Sequence, residues 1–579
     1  MRTSKFLFFI LLAFITTSLY AQTTYVPLWA KENWFLERLE IKASHNNDLN
    51  LSTVKPYMRK AYVAVTDSFR TQLLNGENPY KLTKIDQYNL NRFQSNSREY
   101  SKFTTTDFAD WKPKKPFLKV FFPTKGNFVE VNTKDFYLAL NPVLNFEGGK
   151  ETNYDKTLYV NSKGVTFRGL IAKKVGFDFF LTDNQMRGPL QYRNFLANHR
   201  QAPGANFWKE FKATDDDYIL DYYGNKRYAG ATDYFDARGS INVNATKYIN
   251  IQFGYDKNFI GNGYRSLYLS NFGGNNLFLK LNTRIWKLNY TNLYMELVND
   301  FPKSSDHILD KKYATMHHLG INVTKWLNVG LFESVIFGRS NHFEFGYLLP
   351  VIFLRSIEGD AGSADNANIG FDLKANIFKS VQLYSQVMID EMNISIIKDD
   401  NSWWANKTGL QFGLKYVDVA GIKNLDLQLE VDRIRPFTYS HRDTVSSYTH
   451  YNQPLAEPKG ANLLEYVGIL RYQPFPKLYL TGKLIHYKQG LDSAGYNFGG
   501  NPSRLYNDGR IRDFGYEMFS GIPATTLYGS FTASYEIFEN FFADLGVSGR
   551  AYKIQADNTN TAVFSFGIRW NMYKRESDY

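Results

Sequence analysis

Apolar and polar side chains alternate one by one along most of the chain. Segment 425–432 reads LDLQLEVD, with leucine or valine at each odd position and an acid or glutamine at each even one. Segments 277–285, 381–390 and 563–573 repeat the pattern. Because successive side chains of a β-strand point to opposite faces, this period of two predicts strands with one apolar and one polar face.

Such segments recur from residue 131 onward, separated by turn-forming residues. Each is about ten residues long, the length that a tilted strand needs to cross the hydrocarbon of a membrane. A sheet that faces lipid must close on itself, since no water satisfies an open edge there. We therefore predict an all-β fold, a large antiparallel transmembrane β-barrel over residues 131–579, with roughly 16 to 20 strands. A secreted sandwich or solenoid is the alternative.

The composition favours the barrel. Aromatic residues make up 17% of the chain, as expected when strands carry aromatic girdles at the membrane interfaces. The mean hydropathy of −0.39 is too polar for a helical membrane protein but suits a barrel with a wet lumen. Because the chain has no cysteine, disulfides, cysteine-bound metals and thiol nucleophiles are excluded.

The N-terminal part has a different pattern. Residues 1–21 combine Arg2 and Lys5 with a short apolar run, which predicts a secretory signal peptide cleaved after Ala21. Residues 22–130 lack strand alternation; the spacing of apolar residues predicts helices over 30–41 and 54–69, followed by a polar, irregular stretch. We expect residues 22–130 to form a small, partly helical segment in the periplasm and the barrel to lie in the cell outer membrane.

The net charge is +12, and removal of the signal peptide lowers it to +10. Such a charge suits an anionic partner, such as lipid phosphate or acidic polysaccharide, although it also serves solubility alone. Because the protein is expected to be exported, nucleic acid is not an expected partner.

No nucleophile-elbow, zinc-protease or phosphate-loop motif is present, and His317 and His318 should point to opposite faces of a strand. We therefore expect no enzyme activity, no catalytic residues, no metal and no cofactor.

The segment YDKNFIGNGYRSLYLSNF, residues 255–272, combines glycines with a single arginine. We predict that a strand over 241–259 leads to a turn at Gly261 and Gly263, and that Arg265 enters the lumen at the start of the next segment. The planar guanidinium of Arg265 suits a carboxylate or phosphate. Its partner is either an anionic ligand or one of the barrel's own acids, for which the candidates are Asp426, Glu430 and Asp432.

A second group of polar and aromatic residues follows residue 432. Aromatic faces with planar polar side chains are suited to binding sugars, and arginine adds a contact for anionic sugars. The alternative is a loop that folds into the barrel and whose side chains bond to one another. The members of this group are Arg433, Arg435, His441, Arg442, His450, Tyr451 and Asn452.

Three stretches in order along the chain, 35–61, 253–272 and 433–474, resemble the capsule-assembly Wzi family of outer-membrane proteins, in its Bacteroidetes-type form. The resemblance implies a barrel of about 18 strands with a small periplasmic helical part. It also implies a surface lectin that holds capsular polysaccharide at the cell. The chain departs from the family in its long loops and in Asn262 and Tyr264, which flank Gly263.

These observations predict a monomeric, non-catalytic outer-membrane barrel, in contact with lipid, that binds surface or capsular polysaccharide and supports its assembly. Gliding motility or adhesion is one alternative role, and a porin-like channel is another. On the last strand we expect Phe564, Phe566, Ile568 and Trp570 to face lipid. The predicted ligand-binding residues are Arg265, Tyr264, Asn262, Arg433, Arg435, His441, His450, Tyr451 and Asn452.

Overall fold

The computed structural model of the chain describes residues 23–113, 121–221, 224–299, 308–340, 342–350, 353–360, 362, 365–493, 495–555 and 557–579. The predicted signal peptide lies outside the described residues. In the described part of the chain, no helix is long and apolar enough to cross a membrane.

The described residues form a closed barrel of 18 antiparallel strands, which confirms the predicted fold. Each strand pairs with its neighbours in sequence, and the last strand pairs with the first to close the sheet. In chain order the strands are β1 (Phe136–Glu151), β2 (Leu158–Ile171), β3 (Val175–Arg187), β4 (Ala231–Asn244), β5 (Ile249–Asp256), β6 (Asn276–Ile285), β7 (Leu288–Val298), β8 (Lys311–Asn322), β9 (Leu327–Phe337), β10 (Asn366–Ile377), β11 (Val381–Glu391), β12 (Lys407–Tyr416), β13 (Leu425–Ile434), β14 (Leu463–Phe475), β15 (Leu478–Leu491), β16 (Ile522–Phe538), β17 (Phe541–Ile554) and β18 (Asp557–Trp570).

The alternation of the sequence corresponds to the two faces of the wall. On β13, the odd-numbered leucines are partly exposed outside, whereas Asp426, Glu430 and Asp432 are buried inside. On β18, Phe564 and Phe566 are 65% and 61% exposed. The predicted strand over 241–259 is wrong, because the chain turns at residues 245–248 and forms both β4 and β5.

The two ends of the barrel differ. One end has short turns, such as 172–174, 286–287 and 476–477, and the other has long connections, such as 188–230 and 492–521. Aromatic rings lie near the short-turn end, where the ring centroids of Phe538 and Trp570 are 5.7 Å apart. In bacterial barrels short turns face the periplasm and long loops face outward.

The N-terminal bundle, residues 23–113, packs against the lumen side of the short-turn end. The predicted helices 30–41 and 54–69 lie a few residues later, at Glu32–Ala43 and Arg59–Leu74, and the helix Lys84–Ser95 was not predicted at all. Thr83 and Asp86 form a capping box that starts the helix Lys84–Ser95, and this cap outweighs the polar composition of the helix. The helices of the bundle are α1 (Glu32–Ala43), α2 (Asn47–Asn50), α3 (Arg59–Leu74), α4 (Lys84–Ser95) and a 3-10 turn at Ala109–Trp111.

The remaining elements are short. Helices α5 (Leu190–His199), α6 (Leu354–Asp360) and α7 (Ile394–Asp399) lie in the long connections, as do 3-10 turns at Asp215–Asp217 and Phe345–Leu348, while a third such turn, Val419–Gly421, is at the other end. Two short strands join the wall, Val129–Asn132 beside β1 and Lys209–Phe211 beside β4. Two-stranded pairs form between Tyr25–Val26 and Tyr57–Met58, Val54–Lys55 and Phe259–Ile260, Tyr218–Leu220 and Lys226–Tyr228, and Thr449–His450 and Gln453–Pro454.

The lumen is packed along much of its length. Lumen-facing Asp372, Lys374, Gln411 and Asp432 are all 0% exposed, so water does not reach these wall positions. The main apolar cluster joins wall residues such as Met316 to side chains of the connections that fold inward. Buried polar groups need partners, and here the inserted segments provide them.

Candidate functional site

The glycine–arginine segment belongs to the lumen loop, residues 257–275, which connects β5 and β6. Near the start of the loop, Phe259–Ile260 pairs with Val54–Lys55 of the N-terminal bundle. The loop contains no wall strand, so the prediction that Arg265 opens the next wall segment is wrong; that segment begins at Asn276. Asn262 is buried, with its side-chain amide 3.4 Å from Thr53 Oγ1.

The two glycines allow close approach of the lumen loop to the wall. A Cβ atom on Gly263 would lie 2.3 Å from Glu430 Oε2 and 2.8 Å from the Arg265 carbonyl oxygen. A Cβ on Gly261 would meet Gln386 and Ser266 side chains at 3.1 Å. Gly263 therefore has to lack a side chain for Glu430 to reach the backbone N–H groups of Tyr264 and Arg265, at 2.7 and 2.8 Å.

Arg265 is 6% exposed and is paired with carboxylates of the protein itself. Its Nε donates to Glu465 at 3.1 Å, and its Nη2 donates to the Asp578 backbone oxygen at 2.8 Å. Of the acids expected from the sequence, Glu430 contacts Arg265 through the backbone only. Glu465 was not predicted, since nothing in the sequence pattern distinguishes it from other lumen acids.

Asp578 belongs to the tail, residues 571–579, which turns back into the lumen after β18. Its carboxylate contacts Lys483, which also pairs with Glu576, and accepts a hydrogen bond from the Tyr264 hydroxyl. The Tyr579 ring packs against Phe272 of the lumen loop, with centroids 5.1 Å apart. The alternation expected over 563–573 therefore ends at Trp570.

Carboxylates outnumber cations around Arg265. Glu457, on the connection between β13 and β14, is 0% exposed and lies 3.7 Å from Lys459. Burial, and next the neighbouring Glu465 carboxylate, raise the pKa of Glu457 to about 7. Near neutral pH, a proton on Glu457 therefore relieves the repulsion between its carboxylate and that of Glu465.

We expect stability to depend on pH through Glu457. Because its pKa is higher in the folded protein than its usual 4.5, its stabilising contribution is full below pH 4.5 and is lost as pH rises through about 7. Glu457→Gln should remove this slope from unfolding free energies measured between pH 4 and 8, with exposed Glu517→Gln as the control. Identical pH profiles for the two variants would contradict the assignment.

The predicted arginine–histidine–tyrosine group does not form one site. Arg433 follows the outward-facing parity of β13. Arg435 donates to the carbonyl oxygens of Asn406 and Asn401 at 2.8 and 2.7 Å. His450 Nδ1 accepts from Val298 N–H at 3.0 Å while Nε2 lies 2.8 Å from the Asn275 oxygen, and burial lowers the His450 pKa to about 4. Tyr451 and Asn452 follow in the same folded-in connection, at partly buried positions.

His441, by contrast, lies in an outer aromatic cluster, which we define as Trp404, His441, Tyr506 and Arg510. The Arg510 guanidinium is 4.1 Å from the Trp404 ring centroid, and the Tyr506 ring is 4.6 Å from that of Trp404. His441 is 5.8 Å from Tyr506. Three long connections thus bring together aromatic faces and planar polar groups at the long-loop end. Sequence reasoning missed Trp404, Tyr506 and Arg510, because Trp404 is about a hundred residues away from the other two.

The lumen also contains a cavity of about 680 Å³ between the N-terminal bundle, the tail and the inner faces of strands from both ends of the sequence. Many of its lining cations are neutralised by carboxylates. Five lining cations make no ion pair with a carboxylate in the described part of the chain: Arg59, Lys257, Arg471, Lys574 and Arg575. Burial, and then Arg238, lower the Lys257 pKa to about 7. The carboxylates of Asp178 and Asp256 line the same cavity, so its charge is mixed.

Comparison with protein-family models gives no match, and comparison with curated proteins gives none. Among solved structures, the chain is similar to Wzi of Escherichia coli, an outer-membrane protein involved in group 1 capsule assembly and a carbohydrate-binding β-barrel. The identity is 12%, the match covers 96% of this chain and 100% of that one, and the TM-score is 0.50.

The chain is also similar to OprD of Pseudomonas aeruginosa, with 9% identity, coverage of 75% and 94% of the two chains, and a TM-score of 0.38. OccAB4 of Acinetobacter baumannii matches with 10% identity, coverage of 76% and 98%, and the same score, 0.38. These two scores support no inference about this chain. The closed barrel of the described residues has a Wzi-like fold.

Proposed function

We propose that this protein is a non-catalytic outer-membrane barrel that binds surface polysaccharide and supports its assembly at the cell surface. The observation that carries the proposal is the outer aromatic cluster, in which Arg510 stacks on Trp404 4.1 Å from its ring centroid. Aromatic faces cover the apolar faces of sugar rings, and the guanidinium donates hydrogen bonds to hydroxyl or carboxylate oxygens. The fold shared with a carbohydrate-binding barrel supports the same function.

The packed lumen favours binding over transport. A channel needs a continuous aqueous path. Here wall residues such as Asp372 and Asp432 are 0% exposed, covered by the lumen loop and the N-terminal bundle. We propose that the bundle lies on the periplasmic side and that residues 1–21 are removed on export. The Arg510 guanidinium of the outer aromatic cluster favours an acidic polysaccharide as ligand.

We expect Trp404→Ala to raise the Kd for isolated surface polysaccharide about tenfold, the loss of about 1.4 kcal/mol, because aromatic anchors dominate such contacts. Arg510→Gln should weaken acidic polysaccharide more than neutral polysaccharide. Trp286→Ala is the matched control, since Trp286 is 79% exposed at the opposite end of the barrel. Binding is measured with purified protein after each variant is shown to reach the outer membrane.

A deletion strain tests the cellular role. We expect it to shed polysaccharide that the parent strain retains, and Trp404→Ala to restore retention only partly. Normal retention in the deletion strain would overturn the proposal and favour the adhesion or gliding-motility alternative. A large steady current through the purified protein in a planar bilayer would favour the porin alternative.

A further inference from the structure

The outer wall of the barrel has a polar patch on β7, β8 and β9. Even-numbered residues of β8 and β9, such as Met316 and Phe332, belong to the lumen cluster, so odd-numbered residues face outward. His317 and Glu333 therefore point outward from the barrel, with Nδ1 of His317 3.0 Å from the Glu333 carboxylate. Thr315 and, on β7, Asn292 share this face. Polar groups facing lipid are costly unless they are covered.

The strap covers this patch. We define the strap as residues 342–350 and 353–360, from the connection between β9 and β10. The backbone N–H groups of Phe353 and Leu354 donate to the Glu333 carboxylate at 2.8 Å. The Thr315 hydroxyl donates to the Tyr347 carbonyl oxygen at 3.2 Å, and Tyr294 donates to that of Leu348 at 3.1 Å.

These contacts seal the patch from solvent. His317 is 0% exposed and Glu333 is 6% exposed, although both lie on the outer face of a membrane-type wall. Tyr347 and Leu354 of the strap form an apolar cluster with outward-facing wall residues, including Val335 and Phe337. The strap is thus packed on the outside of the barrel rather than extended above its rim.

The opposite side of the strap is apolar and uncovered. Phe345, Phe353 and Leu349 are 80%, 76% and 47% exposed. The wall beside them is equally apolar: Ile369, directly opposite Glu333 on β10, is 56% exposed, and Phe371, one outward-facing position further along, is 41% exposed. Successive outward positions on a strand are about 7 Å apart, so the apolar side of the strap continues the lipid-facing belt.

We propose that the strap is embedded in the outer leaflet, with Phe345, Phe353 and Leu349 among lipid acyl chains. The wall patch makes this arrangement possible, because it satisfies strap backbone groups that lipid cannot. Charged side chains at the strap, such as Arg355 with 67% of its side chain exposed, can reach the headgroup layer along their apolar stems. The partner of this surface is therefore lipid, and the contact is independent of polysaccharide binding.

The absence of native cysteine allows a direct test. Single-cysteine variants Phe345→Cys and Phe353→Cys of the full chain are spin-labelled and reconstituted into phosphatidylcholine vesicles. Collision of each label with oxygen, which concentrates in hydrocarbon, is compared with collision with a water-soluble nickel complex. Phe371→Cys on the wall is the lipid-facing control, and Ile511→Cys, on a 63% exposed loop residue, is the aqueous control.

We expect both strap labels to match the label at position 371 and to collide more often with oxygen than with the nickel complex. The label at position 511 should collide more often with the nickel complex. Strap labels that behave like position 511 would show a strap in water and overturn the proposal. Strap labels shielded from both reagents would show contact with a second copy of the chain, which also overturns it. The same result at positions 345 and 353 would show that it does not come from one substitution disturbing the strap locally.

Discussion

Replacing Arg38 with methionine is expected to lower the free energy of unfolding by about 3–5 kcal/mol, because it leaves buried carboxylates without their counter-ion. Arg38 lies on α1 with its side chain 3% exposed. Its guanidinium is 2.6 Å from Asp86 of α4 and 2.5 Å from Asp418, and it also contacts Asp426 of β13. One side chain therefore joins two helices of the N-terminal bundle to the barrel wall.

Urea unfolding in lipid vesicles measures the loss, and limited proteolysis shows whether the bundle separates from the barrel. Lys84→Met is the matched control, since Lys84 is exposed at the start of α4. Equal unfolding free energies for the two variants would show that Arg38 does not anchor the bundle.

The acids around Arg38 give this anchor a pH dependence. Burial would raise the Asp86 pKa, but Arg38 and then Lys42 outweigh it and lower that pKa to about 2. Because the folded pKa lies below the usual 3.8, the contribution of Asp86 is present above pH 3.8 and is lost as pH falls through about 2. The anchor should therefore withstand mild acid, unlike the stabilisation by Glu457, which fades toward neutral pH.

Replacing Phe566 with arginine is expected to destabilise the inserted barrel by about 2–4 kcal/mol, the cost of a cation on the lipid face near the middle of the bilayer. Phe566 is 61% exposed on β18. It lies four residues from Trp570 of the aromatic girdle, about 10 Å along the membrane normal for a tilted strand.

Asn558→Arg is the control on the same face of the same strand. Asn558 lies twelve residues from Trp570, about 30 Å along the normal and beyond the apolar band. We expect this variant to change the free energy of unfolding by about 1 kcal/mol or less. A loss at Asn558 equal to that at Phe566 would contradict the assigned depth of the strand.

Much of the barrel could be predicted from the alternation of apolar and polar residues, because one face of each strand meets lipid and the other meets the polar lumen. Segment 425–432 carries its leucines on one face and its acids on the other, and the structure turns those faces outward and inward. The helix α4 was missed because its polar composition hides it, and the division of 241–259 into two strands was missed because both halves alternate alike.

The candidate site was much less predictable. Arg265 was expected in the lumen, and it is there, but its partners Glu465 and Asp578 are 200 and 313 residues away in sequence. Trp404 is placed beside Tyr506 and Arg510 by two connections that lie about a hundred residues apart in sequence. No local pattern encodes such contacts, because they depend on how each connection folds over its neighbours.

The sequence by itself determined the closed barrel and which side chains of a strand such as β13 face lipid, since both follow from a period of two repeated along each strand. Only the tertiary structure decided what fills the lumen, which carboxylates Arg265 meets, and that the strap covers His317 and Glu333 on the outer wall. The physical reason is range: alternation acts between neighbouring residues, whereas the loops, the bundle and the tail take positions set by non-local packing and by the need to pair buried charges.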